Sequence, residues 1–276
     1  MMLRDTLKRK ANSFDAEKYF CRFCKSCSST TLYDQIEDWE YGVRGKFSFV
    51  KCDNCAGIQI YPFPSLQELK KAYEVDYHGY EKASGLGFIF KFLHFCKDYF
   101  LLRKLSKFIP SNSKALDVGC GSGEFLLKLT NLGVKEPVGI DFSEKAMNII
   151  KSKNIKTFLG TFKDFNCKNS SFDLVVMNNY LEHTVDPNFE VKKSYDILKP
   201  GGWLIGEVPG FDSYERRLFK KYWGGNHVPR HTFQFEQKFL INLLKSKGFK
   251  NINVSHELNT GHIALSIQNY FSKNNN

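Results

Sequence analysis

The stretch that decides the fold prediction covers residues 116–125 and reads LDVGCGSGEF. A short apolar run ends there at three alternating glycines, Gly119, Gly121 and Gly123, and the helix-like segment GEFLLKLTNLG follows. Glycines at such a turn accept a positive φ and let a bound molecule approach the backbone, while the amides of the next helix face the same space. The stretch therefore predicts a strand, a ligand-binding loop and a helix.

Strand and helix patterns alternate from Ser111 onward. The predicted strands are KALDVGC, EPVGIDF, SFDLVVMNN and GGWLIGEVP, with two more in FKNINVSHE and HIALSIQNY. The predicted helices are GEFLLKLTNLG, SEKAMNIIKSK, PNFEVKKSYDIL and QFEQKFLINLLKSKGF. Alternation of this kind predicts an α/β fold with a doubly wound, mostly parallel sheet, which binds ligands beyond the carboxyl ends of its strands.

Two details narrow the ligand. A dinucleotide fingerprint would place its third glycine at position 124, where this chain has Glu124, so NAD fits imperfectly. Asp141 ends the second strand, about 20 residues after the loop, where an acidic residue accepts hydrogen bonds from ribose hydroxyls. The ligand is therefore expected to carry an adenosine-like ribose.

The motifs together resemble those of the class I S-adenosylmethionine-dependent methyltransferases. LDVGCGSGEF is similar to the first motif of that family, GIDFSEKAM to the second, and KDF to the segment that closes over the adenine. FDLVVMNNYLEH is similar to the fourth strand and its loop, and LKPGGWLIGEVP to the fifth. The resemblance covers residues 114–209 and implies a Rossmann-like sheet of seven strands with S-adenosylmethionine as cofactor.

The resemblance also implies which residues contact the cofactor. They are Asp117, Gly119, Gly121, Gly123, Asp141, Phe142, Asp164, Phe165, Asn178 and Tyr180. The glycines would line the methionine and ribose, Asp141 would bind the ribose hydroxyls, and Phe142 would stack on the adenine. Asp164, in KDF with Phe165, would accept from the exocyclic amine, and Asn178 and Tyr180 would border the methyl group. For Asp117 and Tyr180, loop stabilisation or core packing is an equal alternative.

Cysteines cluster near the amino terminus. Five of the eight cysteines, Cys21, Cys24, Cys27, Cys52 and Cys55, lie in CRFCKSC and CDNC. Two C-x-x-C pairs separated by about 25 residues predict a structural zinc ribbon with four thiolate ligands. Cys21–Cys24 and Cys24–Cys27 are alternative first pairs. The block from CRFC to EVDYHGY resembles the amino-terminal zinc module that precedes many small bacterial methyltransferases, which often modify sugars, cell-surface glycans or secondary metabolites.

The chain is therefore divided into a zinc-ribbon module (14–64), a helical linker region (65–110) and a Rossmann-like methyltransferase domain (111–276). The linker starts with a capping box, Ser65 and Glu68, and continues as an amphipathic helix that packs on the next domain or contacts a membrane surface. Its apolar stretch is interrupted by charges, and no signal-peptide pattern is visible, so a cytoplasmic protein is expected.

Three histidines are candidate site residues. His183 in LEH is a candidate for a catalytic or metal-binding role, or caps the next element. His227 and His231 in GNHVPRH are candidate bases or acceptor-binding residues, with a structural anchor as the alternative for His231. Pro229 excludes a helix interior between His227 and His231, so a helical metal site is not expected. Instead, we expect an extended segment that leads into a helix. The sequence NNYLEH lacks the Asn/Asp-Pro-Pro-aromatic motif of amino methyltransferases. A hydroxyl or carbon is the favoured acceptor.

Positive charge bears on the acceptor. The net charge of +11 suits a phosphorylated substrate, nucleic acid or a membrane surface. Five cationic residues after the fifth strand could bind a phosphate or diphosphate: Arg216, Arg217, Lys220, Lys221 and Arg230. For the first four, a solvated basic helix is the alternative. The predicted acceptor is a sugar nucleotide or a cell-surface glycan precursor, and nucleic acid is disfavoured as a partner. The alternatives are an RNA methyltransferase and a non-catalytic partner protein on the same fold.

Overall fold

A computed structural model describes residues 19–74, 103, 105–107, 109–110, 112–151 and 155–274. The strands are β1 (Ser29–Ile36), β2 (Phe47–Cys52), β3 (Ile58–Tyr61), β4 (Lys114–Val118), β5 (Glu136–Asp141), β6 (Lys156–Leu159), β7 (Phe172–Asn178), β8 (Leu198–Glu207) and β9 (Phe233–Gln234). The helices are α1 (Leu66–Glu74), α2 (Glu124–Asn131), α3 (Glu144–Lys151), α4 (Pro187–Ile197), α5 (Tyr214–Phe219), α6 (Gln237–Ser246) and α7 (Thr260–Asn274). The predicted amphipathic stretch of the linker lies almost wholly outside the described residues.

Five parallel strands form the central sheet in the order β6-β5-β4-β7-β8. Alternate side chains of β4 enter different cores: Ala115 packs with α2 and α3, and Leu116 packs with α4 and α6. Both residues are fully buried because helices cover both faces of the sheet. The prediction of a doubly wound α/β fold is confirmed, and the strand order reverses direction between β4 and β7, where such sheets bind ligands.

The prediction of seven strands is wrong for the described residues, since the central sheet has five. Residues 249–259 form no strand, and HIALSIQNY lies within α7. Ser266 and Asn269 are buried three residues apart, which is helical spacing. Ser266 Oγ accepts from the Gly224 amide at 2.8 Å, and Asn269 Nδ2 donates to the Tyr222 carbonyl at 3.3 Å. These tertiary contacts override the short apolar pattern that suggested a strand.

A second, antiparallel sheet has the order β1-β2-β3-β9. Its last strand comes from far down the chain, with Ile58 opposite Gln234 and Gln59 opposite Phe233. One core cluster joins Ile36, Phe49, Ile58 and Ile60 to residues that follow β8, namely Phe211, Trp223 and Val228. Residues 19–64 therefore share a sheet and a core with the segment after β8.

Helix α1 connects these parts. The predicted capping box is confirmed: the Glu68 amide donates to Ser65 Oγ at 3.2 Å, and Glu68 Oε2 accepts from the Ser65 amide at 2.7 Å. Leu69 and Ala72 are buried, which places Tyr73 near the carboxyl end of β7. Among the described helices, none has the length and apolar character that crossing a bilayer requires.

Candidate functional site

The glycine loop lies between β4 and α2, and its backbone has the positive φ angles that glycine adopts most easily. Gly119, Gly121 and Gly123 have φ values of 74°, 50° and 71°, all in the left-handed region. A Cβ on Gly119 would lie 2.7 Å from Tyr180 Cδ2, so the loop also packs too closely for a side chain. The predicted loop is therefore formed, with its backbone exposed towards the carboxyl ends of the strands.

Asp141 ends β5 and faces the glycine loop. Its Oδ2 accepts from the Gly121 amide at 3.0 Å and its Oδ1 from the Ser143 amide at 2.9 Å. The residue is 5% exposed, and this burial raises the pKa of Asp141 although the amides oppose the rise. A carboxylate so placed fixes the loop and has lone pairs left for the hydroxyls of a ribose.

The three residues expected around the adenine differ in placement. Phe142 is 53% exposed and meets Tyr73 edge to face, with ring centroids 5.3 Å apart, so much of its ring is open to a ligand. Asp164 is exposed, and its Oδ2 already accepts from the amide and hydroxyl of Thr161. The ring of Phe165 packs against the hydrophobic core beside Phe158, at 5.4 Å between centroids.

The end of β7 supplies the residues expected beside the methyl group. Asn178 is the last residue of β7, and Tyr180 packs its ring against Gly119. Tyr180 Oη donates to Glu190 Oε2 at 3.2 Å, and burial raises the pKa of Tyr180 well above its ordinary value. Tyr180 therefore forms a fixed wall between the glycine loop and the residues that follow it.

His183 lies in the 3₁₀ turn Leu181–His183, which begins directly after Tyr180. Its Nδ1 lies 2.8 Å from Tyr73 Oη and 3.3 Å from the Arg230 carbonyl oxygen. Burial lowers the pKa of His183 to about 4, so the imidazole is neutral near pH 7. Glu182 precedes His183 in the chain, and burial raises the pKa of its carboxyl group to about 8.

His231 meets His183, with ring centroids 4.5 Å apart and planes at 78°. It is 4% exposed, its Nδ1 lies 2.9 Å from the Gly225 carbonyl oxygen, and burial lowers its pKa well below the ordinary value. His227 is stacked on Tyr41 and pairs with the amino-terminal sheet region, because its Nε2 lies 3.1 Å from Glu40 Oε2. The three predicted histidines thus form a row in which His183 lies closest to Tyr180.

The backbone between His227 and His231 differs from the expectation. It forms a turn with a cis Val228–Pro229 peptide, in which the His231 amide donates to the His227 carbonyl at 2.9 Å, and it leads into β9. The exclusion of a helix is confirmed, but the prediction of an extended segment entering a helix is wrong. The turn brings the two rings to 4.9 Å between centroids.

The prediction that Arg230 binds a phosphate is also wrong. Arg230 is fully buried, and its Nη2 pairs with Asp38 Oδ2 at 3.0 Å. Its Nη1 donates to the Ala72 carbonyl at 3.2 Å, and its guanidinium lies over the Tyr41 ring. Arg216 is similarly engaged, lying 3.7 Å from the centroid of the Phe211 ring. Both arginines are engaged by other parts of this chain.

Comparison with known proteins identifies the family. A family model described as a methyltransferase domain matches residues 92–254, which is more than half of the chain. The chain belongs to this methyltransferase family. S-adenosylmethionine is the methyl donor of this methyltransferase, and the glycine loop and Asp141 have the geometry to hold it.

Relatives of the methyltransferase share part of its length. An uncharacterised protein of Methanocaldococcus jannaschii is 26% identical over 57% of this chain and 74% of its own length. A demethylmenaquinone methyltransferase of Staphylococcus aureus is 32% identical over a matched region. This region is 35% of this chain and only 43% of that enzyme. A solved SAM-dependent methyltransferase of Thermotoga maritima is 23% identical over 58% of this chain and 79% of its own, with a TM-score of 0.44.

Four of the five clustered cysteines converge in the amino-terminal part of the methyltransferase. The thiols of Cys21, Cys24, Cys52 and Cys55 all lie within 4.8 Å of one another, and Cys27 is exposed outside this group. The structure thus selects Cys21–Cys24 as the first pair. The closest sulfurs are 3.5 Å and 3.6 Å apart, near the roughly 3.8 Å expected for thiolates around a tetrahedral zinc.

Hydrogen-bond donors reach two of the four thiols. The Gly57 amide donates to Cys55 Sγ and Asn54 Nδ2 donates to Cys24 Sγ, both at 3.4 Å. Although burial raises it, hydrogen bonds from Asn54 and Ser26 bring the pKa of Cys24 down to about 6. Burial raises the pKa of Cys55. The residue after Cys55, Ala56, has a φ of 62°, in the left-handed region that glycine adopts most easily.

Tyr73 was not predicted from the sequence. It contacts Phe142 on the cofactor side and His183 on the other, so it joins two parts of the site. The capping box at Ser65 and Glu68 fixes where α1 begins, and Tyr73 lies eight residues after Ser65 on that helix. Its position against His183 depends on how α1 packs, which the sequence pattern does not show.

Asp117 should make stability depend on pH. It is 3% exposed, and burial together with the charge of Asp141 raises the pKa of Asp117 to about 8. Between about pH 4 and pH 8 the native carboxyl keeps a proton that the unfolded chain releases, so raising the pH favours unfolding. The free energy of unfolding of the wild type should fall relative to Asp117→Asn, by at most about 1.4 kcal/mol per pH unit. Denaturant titrations of both proteins between about pH 4 and pH 8 measure this difference in the free energy of unfolding. A difference that stays constant with pH would contradict the raised pKa of Asp117.

Proposed function

We propose that this methyltransferase transfers the methyl group of S-adenosylmethionine to a hydroxyl or an acidic carbon of a small molecule, of the sugar-nucleotide or glycan-precursor type. The observation that carries the proposal is the contact between His183 and His231, 4.5 Å between centroids, beside Tyr180. This pair lies at the carboxyl end of β7, adjacent to the glycine loop. An acceptor bound there would face the donor methyl group.

The chemistry fits an in-line displacement. The acceptor oxygen or carbon forms a bond to the methyl carbon while the bond from that carbon to the donor sulfur breaks, and the acceptor proton leaves. Alignment of the reactants contributes up to about 7–11 kcal/mol, and a general base adds about a hundredfold to ten-thousandfold. Because burial lowers the pKa of His183 to about 4, its imidazole is neutral near pH 7 and keeps one ring nitrogen with a lone pair for the acceptor hydroxyl.

Among the three histidines, His183 is best placed to meet an acceptor. Its side chain is 17% exposed and lies next to Tyr73, whose ring also contacts the open Phe142. His231 is more deeply buried, and His227 is committed to Glu40. His183 is therefore proposed to contact the acceptor, with His231 behind it.

His183→Ala should lower kcat by about a hundredfold to ten-thousandfold and leave the affinity for S-adenosylmethionine nearly unchanged. His256→Ala is the matched control, because His256 is a partly exposed histidine next to Asp212. Steady-state turnover with an accepted substrate and calorimetry with the donor measure the two effects. Normal turnover in His183→Ala would remove this histidine from the reaction.

The four converging thiols are proposed to hold a structural zinc. Four thiolates fill a tetrahedral site and leave no open position for a substrate, so the ion would stabilise the amino-terminal fold rather than react. Metal analysis should find about one zinc per chain in the wild type and in Cys27→Ser, and much less in Cys52→Ser. Cys27→Ser is the matched control because Cys27 lies outside the group. Fully folded wild type without zinc would contradict the proposal.

The net charge of +11 supports an RNA methyltransferase as a second candidate. Two of the five cationic residues that could have bound phosphates, Arg216 and Arg230, are used within the chain. They are therefore lost as ligands for any phosphate, whether of RNA or of a sugar nucleotide. A small acceptor is preferred because the sequence NNYLEH at the end of β7 lacks the Asn/Asp-Pro-Pro-aromatic motif of amino methyltransferases. Binding of RNA with a steep salt dependence would favour the alternative.

A further inference from the structure

Glu182, His183 and His231 form a second cluster of possible metal ligands, separate from the cysteines. One ligand atom from each residue lies within 4.8 Å of the others. Glu182 is 1% exposed, and neither of its carboxylate oxygens has a hydrogen-bond partner among the described residues. Within this cluster, Glu182 Oε1 lies 3.9 Å from His183 Nε2.

The histidine ring orientations suit metal binding. Because a carbonyl oxygen can only accept, the Gly225 carbonyl 2.9 Å from His231 Nδ1 places the proton on that nitrogen and leaves a lone pair on Nε2. The Arg230 carbonyl, 3.3 Å from His183 Nδ1, favours the same tautomer in His183, and Tyr73 Oη, 2.8 Å from this nitrogen, can accept from it as well. Imidazoles that bind metals are commonly oriented in this way by a backbone carbonyl.

An unpartnered buried carboxyl group is costly, since it has lost its hydration without gaining hydrogen bonds. A cation beside Glu182 would remove that cost. Metal–ligand distances of about 2.0–2.2 Å place neighbouring ligands about 3.0–3.5 Å apart, so binding requires the three side chains to approach by about an ångström. The exposed edge of His183 leaves one side of the cluster accessible from the acceptor region.

We propose that Glu182, His183 and His231 bind a divalent first-row transition metal, and that this ion binds the oxygen of the acceptor. Two imidazoles and one carboxylate are a donor set for such metals, and three protein ligands leave coordination positions open for a substrate. The proposal rests on the proposed function, because it assigns the way in which the same site holds its acceptor.

The ion would act as a Lewis acid on an acceptor hydroxyl. A coordinated hydroxyl loses its proton more easily, and the proton passes to water while the oxygen stays on the metal. That oxygen then forms its bond to the methyl carbon as the bond between carbon and sulfur breaks. In the loaded site the imidazole lone pairs are used by the ion, so the histidines position the acceptor instead of taking its proton.

Metal binding is tested on the full chain with its cysteine site already loaded with zinc. Mn²⁺, a hard ion that thiolates do not favour, is titrated and followed by the loss of the electron paramagnetic resonance signal of the free ion, with Co²⁺ and Zn²⁺ as competitors. The wild type should bind one Mn²⁺, and Glu182→Gln should weaken binding at least about tenfold, since the loss of a direct ligand costs no less than the loss of an outer partner. His227→Gln is the matched control, because His227 neighbours His231 but lies outside the cluster.

His231→Asn gives a second test if Glu182→Gln does not fold, and thermal melting checks the fold of each variant. Binding of none of the three ions beyond the cysteine site, or equal binding by the wild type and by folded Glu182→Gln or His231→Asn, would overturn the metal proposal. Because no acceptor is present, this failure would leave methyl transfer with an imidazole base intact. A chain that binds Mn²⁺ but methylates no small molecule of the tested panel would overturn the proposed function and the acceptor-binding role of the ion, and would leave only the metal site.

Discussion

Replacing Asp141 with alanine is expected to reduce the affinity for S-adenosylmethionine at least about a hundredfold, since hydrogen bonds to a charged group contribute about 1.5–3 kcal/mol each. Two effects combine. The ribose loses its acceptor, and the glycine loop loses the contact of Asp141 Oδ2 with the Gly121 amide at 3.0 Å. Calorimetry with S-adenosylmethionine measures the change, and turnover at a fixed donor concentration should fall with it.

Asp173→Asn is the control for this variant. Asp173 is also a strand aspartate, but it lies near the start of β7, pairs with Lys199 at 2.9 Å and is thus at the opposite end of the sheet. Its replacement should leave donor affinity within about twofold, as expected for a site that does not touch the ligand. Equal affinity of the wild type and Asp141→Ala would remove Asp141 from the cofactor site.

Arg230→Ala should lower the free energy of unfolding by about 3–5 kcal/mol, the usual loss when one partner of a buried ion pair is removed. Arg230 is fully buried and holds Asp38 and the Ala72 carbonyl, so it links the amino-terminal region and α1 to the segment before β9. Without it, Asp38 keeps a buried carboxyl group that the amides of Glu40, Tyr41 and Val43 contact but no positive charge of Arg230 balances. Denaturant unfolding followed by circular dichroism measures the loss.

Arg217→Ala is the matched control, because Arg217 is an exposed arginine on α5. Its replacement should change the free energy of unfolding by no more than about 0.5 kcal/mol. A double-mutant cycle between Arg230→Ala and Asp38→Ala isolates the contribution of the pair. A loss of less than about 1 kcal/mol in the free energy of unfolding of Arg230→Ala would contradict this account. The buried pair would then not hold the amino-terminal region and α1 against the segment before β9.

The parts of the site that the sequence predicted have local physical causes. The left-handed backbone of Gly119, Gly121 and Gly123 requires glycine, and Asp141 reaches the loop from the very next strand. The capping box of α1 involves residues three positions apart. Such features depend on short-range backbone chemistry, so the residue types and their spacing reveal them.

The parts that were missed depend on contacts between distant segments. Arg230 pairs with Asp38, 192 residues away, so its cationic side chain was misinterpreted as a phosphate ligand. Tyr73 meets His183 across 110 residues, and no pattern around either residue indicates that contact. HIALSIQNY has a short apolar pattern that fits a strand or a helix, and packing against Tyr222 and Gly224 decides for the helix.

Transfer of a labelled methyl group decides whether the proposed reaction occurs. The purified chain, loaded with zinc and supplied with Mn²⁺ in parallel samples, is incubated with methyl-labelled S-adenosylmethionine and with a panel of sugar nucleotides, glycan precursors or RNA. We expect label in a hydroxyl or carbon of a small sugar-linked acceptor, and a large loss of that label in His183→Ala. Label that enters only RNA, or a small-molecule product formed equally well by His183→Ala, would contradict the proposal.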